Sequence, residues 1–585
     1  MTSTTTPVLD AVPVPTDEPP TVARPTGPTA GCTVLTLAVG AVSLTAQNPI
    51  STATALALAA VTISWSGATA YRTAWAALRR GRVTAYTLTA AGLTAVLGAA
   101  AVGAVHGSAG LDGAVAAAAA GTLHAAGAAV ATRIAAEDTT VDTPTVERAR
   151  RGAAALERAA ERAAAGFAAV VVVAAVAVLG YRLGTGAGAA DALGVAAAVL
   201  LVGCPLAVGR ATATALVAGV ARAARLGASL DAPRTAETLS RVDTVVICRT
   251  GTSTTGDRCL RTVHVADGVE PDEALRVAGA VAAAGRKAGG TAGQHPVGAV
   301  LADAARERFG ELPGVAEFDG YPGFGVRGIV TELRFGPDDE PRVLAHAALV
   351  GRVALLAAHG IVLPDELHTA VATVHAAGAT AVAVSWDGVA RAVFEVAAPA
   401  RPGAAPAAHA LRDLGLASVL LTGDDPGAAR GLAAVLGVEE VLAEVGATDR
   451  GAAVTRLREA GRTVAVIGGP ADHAALAEAD VALVRPGAVD DAVLRRPGVV
   501  TLADVCPRTA VDALRTARAT ARTIERTLTG AAAYHLVALP AAVAGLLPPL
   551  AAALAAAVFP AGALLHVGAL RRIRALPRPE TADES

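Results

Sequence analysis

Only five of the 585 residues are cysteine, and they fall singly at Cys32, Cys204, Cys248, Cys259 and Cys506. No CxxC pair exists, so neither a zinc knuckle nor a disulfide framework is written here. Aromatic residues make up 3% of the chain, too few to build platforms on which unpaired bases stack. Neither sign of charge prevails: 49 basic side chains against 51 acidic ones leave a net −2, without the basic footprint of a nucleic-acid binder. Charged residues reach only 17%, where an average soluble domain carries about a quarter. Residues 1–30 are rich in Pro and Thr and lack the basic start of a signal peptide. They read as a disordered cytoplasmic tail.

What the chain has in excess is apolar residues, 53% of the total with a mean hydropathy of +0.50, and they cluster. A first block holds runs near Gly31–Ala46, Thr52–Ala70, Ala85–Val105, Gly113–Thr132, Ala164–Leu183 and Ala190–Val208. A second holds Thr529–Leu547 and Pro549–Ala569. A bilayer-spanning helix needs about 20 such residues, and the Ala- and Gly-rich character of these runs suits close helix packing. Arg72, Arg79, Arg80 and Arg82 lie in one connection; Arg148, Arg150, Arg151, Arg158 and Arg162 lie in another; Arg571, Arg572 and Arg574 follow the last run. The alternate loops 47–51, 106–112 and 184–189 carry no Lys or Arg. The positive-inside rule then predicts eight crossings of the cell membrane with both termini cytoplasmic.

Between the blocks lies a soluble, cytoplasmic insert, roughly 210–525. Short Val/Ile/Leu runs at Asp243–Ile247, Thr380–Ser385, Ala417–Leu421, Thr463–Ile467 and Val481–Val484 alternate with helical patterns such as Pro426–Leu436 and Arg450–Ala460. That alternation predicts a parallel, doubly wound α/β sheet. Residues 258–395 differ in texture and read as a second domain inserted into the first. The expected layout is a tail (1–30), four crossings (31–136), a charged cytoplasmic helix (137–163) and two further crossings (164–209). A juxtamembrane helix with the first part of the α/β domain follows (210–257). The inserted domain (258–395), the rest of the α/β domain (396–525), the last two crossings (526–572) and a tail (573–585) complete it.

Ligands collect at the carboxyl ends of strands in such a sheet. Three ends stand out: Cys248-Arg249-Thr250-Gly251-Thr252-Ser253-Thr254, Thr422-Gly423-Asp424-Asp425 and Gly468-Gly469-Pro470-Ala471-Asp472. Glycines permit tight turns, and Thr hydroxyls with free backbone N–H groups cradle phosphate. Each loop alone also reads as an ordinary strand-to-helix turn; three in this order are more specific.

The order resembles the heavy-metal P-type ATPases, and the resemblance covers about residues 52–572. Cys248–Thr254 resembles that family's Asp-Lys-Thr-Gly-Thr-Leu-Thr, Thr422–Asp424 its Thr-Gly-Asp, and Ile467–Asp472 part of its Gly-Asp-Gly-x-Asn-Asp. Cys204-Pro205-Leu206 matches its intramembrane Cys-Pro-Cys in two positions, and His295-Pro296 matches its His-Pro. The resemblance implies a haloacid-dehalogenase-like α/β domain with an inserted α+β nucleotide-binding domain, beside an α-helical multi-pass membrane domain. It also implies ATP with Mg²⁺ as cofactors, a heavy-metal cation as cargo and the lipid bilayer as surroundings. It names neither the metal nor a protein partner.

The departures bear on function. The aspartate that attacks ATP in the family is Cys248 here, its lysine is Arg249, the Mg²⁺-holding hinge carboxylate is Gly468, and the neighbouring Asn is Ala471. Where the family carries an actuator domain with Thr-Gly-Glu, this chain has only about Arg133–Arg162. In it Glu147 with Arg151, and Arg158 with Glu161, place opposite charges on one helix face. A thiolate can attack phosphorus, but Cys248 at a strand end also reads as a small core residue. In the inserted domain His295, Pro296, Gly323, Gly325 and Gly351 match nucleotide-binding positions, with Arg352 in place of an Asn. In the membrane, Cys204 and His535 are the candidate ligands of a soft or borderline cation. Two readings follow: a pseudo-ATPase with residual nucleotide or metal binding, or an ATP-driven metal transporter with altered chemistry.

Overall fold

The computed structural model describes residues 28–576, apart from 46–48, 82, 106–114, 117, 120, 123–125, 127–143, 204–205, 231–232, 250–252, 255–257, 289–295, 336–340, 399, 486–488, 490–493, 495 and 505–506. Cys204, Pro205, Thr250, Gly251, Thr252, His295, Cys506, the terminal stretches 1–27 and 577–585 and most of the run Gly113–Thr132 therefore lie outside the described residues. The chain divides into two compact units, Met1–Ser240 with Ala513–Ala575, and Arg241–Asp512 with Leu576–Ser585.

The first unit is helical: α1 (Pro28–Thr45), α2 (Pro49–Ser66), α3 (Ala68–Leu78), α4 (Ala85–Val105), α5 (Pro144–Gly184), α6 (Ala189–Val202) and α7 (Leu206–Arg225), with α16 (Pro507–Val543) and α17 (Pro549–Leu570) closing the chain. Among the described residues three helices are long and apolar enough to cross a membrane: Tyr86–Val105, Val146–Gly184 and Pro549–Leu570. The pair α2/α3, bent by 67°, makes a fourth if it counts as one span. Gly67 sits at that bend, where a Cβ would come within 2.7 Å of the Ile63 carbonyl and 2.9 Å of the Tyr71 ring. Close approach of backbones organises the rest. A Cβ on Gly92 would lie 2.9 Å from Leu201 Cδ2, and Gly203 leaves room for Val171, as small residues do wherever helices pack without a hydrophobic drive between them. Val170, Val173 and Val176 on α5 remain exposed, an apolar stripe suited to lipid. The charged stretch and the run Ala164–Leu183, expected as two elements, are one continuous helix, α5. Its Glu147–Arg151 pair forms at 3.6 Å, and the Glu161 side chain lies outside the described residues.

The second unit holds two sheets. β1 (Thr244–Cys248), β8 (Ala417–Leu421), β9 (Glu440–Leu442), β10 (Val464–Ile467), β11 (Val481–Val484) and β12 (Val499–Leu502) pair in parallel in the order β12-β11-β10-β1-β8-β9. β1, β10 and β11 are buried at every residue, which is why their sequences run on as unbroken apolar stretches instead of alternating. Helices α12 (Ala404–Asp413), α13 (Pro426–Leu436), α14 (Arg450–Glu459) and α15 (His473–Glu478) connect the later strands.

The inserted domain is an antiparallel sheet of β2 (Cys259–Val265), β3 (Gly314–Tyr321), β4 (Gly325–Phe335), β5 (Pro341–Gly351), β6 (Thr380–Trp386) and β7 (Val389–Ala397), in the order β2-β7-β6-β5-β4-β3. Alternation sorts its faces: Val382, Val384 and Phe394 pack with α8 (Pro271–Ala288) and α9 (Pro296–Phe309). Ala381, Ala383 and Val393 pack with α10 (Val353–Ala358) and α11 (Asp365–Ala376). The run Thr380–Ser385, grouped by sequence with the parallel strands, is thus β6 of this antiparallel sheet. A short Val/Ala run buried on both faces looks the same in either setting.

Candidate functional site

β1 lies between β8 and β10, with Cys248 level with Leu421 and Ile247 level with Ile467. The three loops singled out in the sequence therefore emerge side by side at one edge of the parallel sheet. Of the expected residues, Cys248, Arg249, Thr422, Gly423, Asp424 and Asp472 meet there.

Cys248 is fully buried, packed among Val246, Val419 and Val466. Burial pushes its thiol pKa well above the ordinary range, and the adjacent Asp472 carboxylate adds to this through its charge and a hydrogen bond, against the opposing charge of Arg450. The thiol is thus protonated at neutral pH, the form that neither attacks phosphorus nor ligates a metal. Asp472 is itself wholly buried. Its Oδ2 accepts from the Gly469 N–H at 2.9 Å and its Oδ1 is ion-paired with the Arg450 guanidinium, which also donates to the Ala471 carbonyl at 3.2 Å. Gly468 completes the arrangement: a Cβ there would lie 2.9 Å from the Asp472 Cβ, so a larger side chain would push Asp472 aside.

Asp424 is caught between two cations. Arg249 pairs with its Oδ2, the Arg258 Nη2 stands 3.9 Å from its Oδ1, and the Thr422 hydroxyl donates to Oδ2 at 2.6 Å. Burial alone would raise its pKa, but the charges of Arg249 and Arg258 and the hydrogen bonds from Thr422 and Arg249 outweigh it and hold the carboxyl below the usual range. Burial and the charge of Arg249 lower the pKa of Arg258 in turn. Arg249 is 3% exposed, and its Nε and Nη2, with Arg258 Nη1, have no hydrogen-bond partner among the described residues. Arg258 and Arg450 were not foreseen as members of this site. The one general signal was compositional: Lys287 is the sole lysine among the 49 basic residues, so positive charge here comes as rigid, permanently ionised forks.

The donor set does not fit the Mg²⁺ that the resemblance implies. Mg²⁺ is bound through carboxylates plus substrate phosphates. Asp424 and Asp472 are already ion-paired with arginines, position 468 offers no carboxylate, and no group of three or more His, Cys, Asp or Glu side chains that could hold a metal ion occurs among the described residues. Placing a cation about 4 Å from a guanidinium costs on the order of 4 kcal/mol per unit charge at an effective dielectric of 20.

The inserted domain reaches the same edge. The Arg352 Nη2 donates to the Gly423 carbonyl at 2.6 Å and its Nη1 pairs with the Glu444 carboxylate at 3.2 Å. Gly323 has φ +78° in the turn before β4, while Gly325 and Gly351 face each other across the β4–β5 ladder. A Cβ on either would collide with the opposing strand, so packing alone explains these two glycines. Pro296 opens α9.

In the first unit, His535 lies on α16 with its Nδ1 2.7 Å from the Ala531 carbonyl, while its Nε2 is buried without a hydrogen-bond partner among the described residues. The Phe167 ring meets it edge-on at 5.2 Å and Tyr534 at 5.0 Å; Tyr534 in turn stacks on Phe559 at 5.3 Å.

The haloacid dehalogenase-like hydrolase family model matches residues 242–480. A probable copper-exporting P-type ATPase V of Mycobacterium tuberculosis is 34% identical over 408 residues, 70% of this chain and 50% of that protein. A copper-exporting P-type ATPase of Mycobacterium leprae is 35% identical over 420 residues, 70% of this chain and 49% of that protein. The chain thus spans about half the length of the curated relatives it matches. The crystal structure of a zinc-transporting PIB-type ATPase in its E2·Pi state aligns with a TM-score of 0.49 at 19% identity, over 93% of this chain and 99% of that one.

Proposed function

From a chain homologous to the heavy-metal P-type ATPases, we propose a membrane protein that keeps this scaffold and has lost the phosphorylation cycle. The observation that carries the proposal is the charge pattern at the sheet edge. The two buried carboxylates there, Asp424 and Asp472, are held by Arg249 and Arg450, and the nucleophile's position is a buried, protonated Cys248. Phosphoryl transfer depends on positioning and on charge neutralisation by metal ions, and these residues supply neither a nucleophile nor a metal seat. The short connection Arg133–Arg162, with no Thr-Gly-Glu, argues the same way for the dephosphorylation half of the cycle. In this reading the protein is a partner or regulatory subunit in the cell membrane, with eight crossings and both termini cytoplasmic, and the inserted domain keeps a weak affinity for ATP. The test is ATP hydrolysis by the purified full chain with Cu⁺ or Zn²⁺. No metal-stimulated, vanadate-sensitive activity is expected; such activity would favour the transporter with altered chemistry.

One observation favours a remnant of transport chemistry. A buried imidazole nitrogen without a hydrogen-bond partner, as at His535 Nε2, is what a cation ligand looks like before the cation arrives. Copper or zinc, the cations named for the homologues and the aligned structure, is the proposed occupant, with Cys204 as second ligand.

A further inference from the structure

We propose that Arg352 is an internal latch that fastens the inserted domain to the Thr-Gly-Asp loop, so that the two halves of the second unit move as one body when no nucleotide is bound. The inference goes beyond the pseudo-ATPase reading and does not depend on it.

Arg352 is placed by backbone contacts that leave it little freedom. It follows β5 directly and caps α10, and its N–H donates to the Phe324 carbonyl at 2.8 Å. The facing glycines Gly325 and Gly351 bring the two strands into contact beneath it. From that anchor the guanidinium lies 5.8 Å from the centre of the Phe324 ring and reaches across to the parallel-sheet half. There one nitrogen donates to the Gly423 carbonyl and another meets Glu444. Glu444 is one of only three non-glycine residues with positive φ among the described residues, at +56°, and its N–H donates to the Asp424 carbonyl at 2.9 Å. A residue kept in a sparsely populated conformation with its carboxylate on an arginine is a sign that the surroundings over-determine it. The side chain of Arg352 is only 22% exposed, so its bond to the Gly423 carbonyl is partly shielded from water, while the pair with Glu444, itself 54% exposed, stands at the surface.

A second contact between the same halves acts with it. α11 of the insert lies on α13 of the parallel half, where Gly427 and Gly431 leave room for His375, and Gly378, at φ +72°, sits about 3.0 Å from the Leu432 backbone when judged by its missing Cβ. The His375 Nε2 lies 3.2 Å from the Asp425 Oδ1, the same oxygen that caps α13 through the Gly427 and Ala428 N–H groups at 2.9 and 3.1 Å. The glycine-lined seat fits one docked position closely, and swinging the insert away would break the arginine bonds and uncover that seat together. A ligand that needs the halves apart binds only the unlatched fraction, so its apparent affinity falls by that fraction.

Hydrogen–deuterium exchange on the full chain in lipid nanodiscs tests this. Arg352→Ala is expected to speed exchange about tenfold on both sides of the contact, in 365–378 and in 422–446, while β10 and β11 keep the wild-type rate. That factor corresponds to freeing one tenfold-populated closed state. Gly431→Val, which wedges the helix seat without touching Arg352, should loosen the same two segments. Should Arg352→Ala fail to fold, Arg352→Lys and Glu444→Gln, which keep the backbone cap, should give smaller increases of the same sign in both segments. Wild-type exchange in these variants, or an increase confined to the mutated side, overturns the latch. Detection of ATP hydrolysis would sink the pseudo-ATPase reading and leave this exchange pattern as it stands.

Discussion

At the carboxyl edge of the parallel sheet the buried carboxylates Asp424 and Asp472 are each met by a guanidinium, whereas in the helical unit His535 Nε2 is buried with no hydrogen-bond partner among the described residues. In the first region Asp424 and Asp472 are engaged by arginines, while Arg249 Nε and Nη2, Arg258 Nη1 and Arg450 Nε are buried without a hydrogen-bond partner among the described residues. In the second, His535 is the residue proposed above as a cation ligand, and its surroundings are the rings of Phe167 and Tyr534 in place of charged groups. The contrast separates what a scaffold needs from what a reaction needs. A buried charge without its partner is costly in any fold, and Arg249 and Arg450 supply that partner to Asp424 and Asp472.

The largest effect should come from breaking the arginine-paired region. Asp424→Ala leaves the guanidiniums of Arg249 and Arg258 buried without their carboxylate, a loss of about 3–5 kcal/mol, read as a fall in the unfolding midpoint of the detergent-solubilised chain. The sign of its pH dependence follows from the lowered pKa of Asp424. The contribution is present above the unfolded-state value near 3.8 and is lost as pH falls through the lower folded value. The gap between variant and wild type should therefore close only in strong acid; a gap already closed at pH 6 would contradict the pairing.

Restoring the family's aspartate should come next. Cys248→Asp places a second carboxylate beside buried Asp472, and two like charges sharing a dry site cost about 2–4 kcal/mol. That cost shrinks as pH falls and one carboxyl takes a proton. No phosphorylation is expected from this single change, and recovery of it would break the claim that the site carries several independent lesions.

On the other side of the comparison, His535→Ala should weaken Cu⁺ or Zn²⁺ binding about tenfold while moving stability by less than about 1 kcal/mol. Mass-spectrometric metal content of the purified chain is the readout, and Cys204→Ala should abolish what remains. Unchanged content in both variants would make His535 a packed aromatic neighbour of Phe167 and Tyr534 and nothing more.

The smallest effect is kinetic. Cys248 should resist alkylation by iodoacetamide in the native protein while exposed Cys259 reacts, because a buried thiol with a raised pKa offers almost no thiolate. The thiol's contribution to stability is present below the unfolded-state value of 9.0 and is lost as pH rises toward the higher folded one. Rapid labelling of Cys248 at pH 7 would contradict its burial.

Much of this arrangement was legible in the sequence, for reasons that name its limits. Runs such as Asp243–Ile247 and Thr463–Ile467 read as buried parallel strands because both faces are apolar, and the loops after them could be placed at one edge by order alone. The interruption by an inserted domain showed in texture. What could not be read was which arginine meets which aspartate. Arg249 and Asp424 are 175 positions apart, and Arg258 and Arg450 sit in segments with no local signal of their role. Arg352 could be noticed only as a departure from Asn; its reach to Gly423 and Glu444 is a product of how the insert docks. The same limit applies to Thr380–Ser385, which fell within the inserted stretch 258–395 but whose apolar run carries no mark of its antiparallel direction.

The most direct test of the account is incubation of the full chain with γ-labelled ATP and Mg²⁺, followed by an acid quench and hydroxylamine treatment. No acid-stable, hydroxylamine-sensitive label is expected, with or without Cu⁺ or Zn²⁺, because Cys248 cannot form an acyl phosphate and Asp424 and Asp472 are ion-paired with arginines. A stoichiometric, hydroxylamine-sensitive phosphoenzyme that forms in wild type and disappears in Asp424→Asn would contradict it.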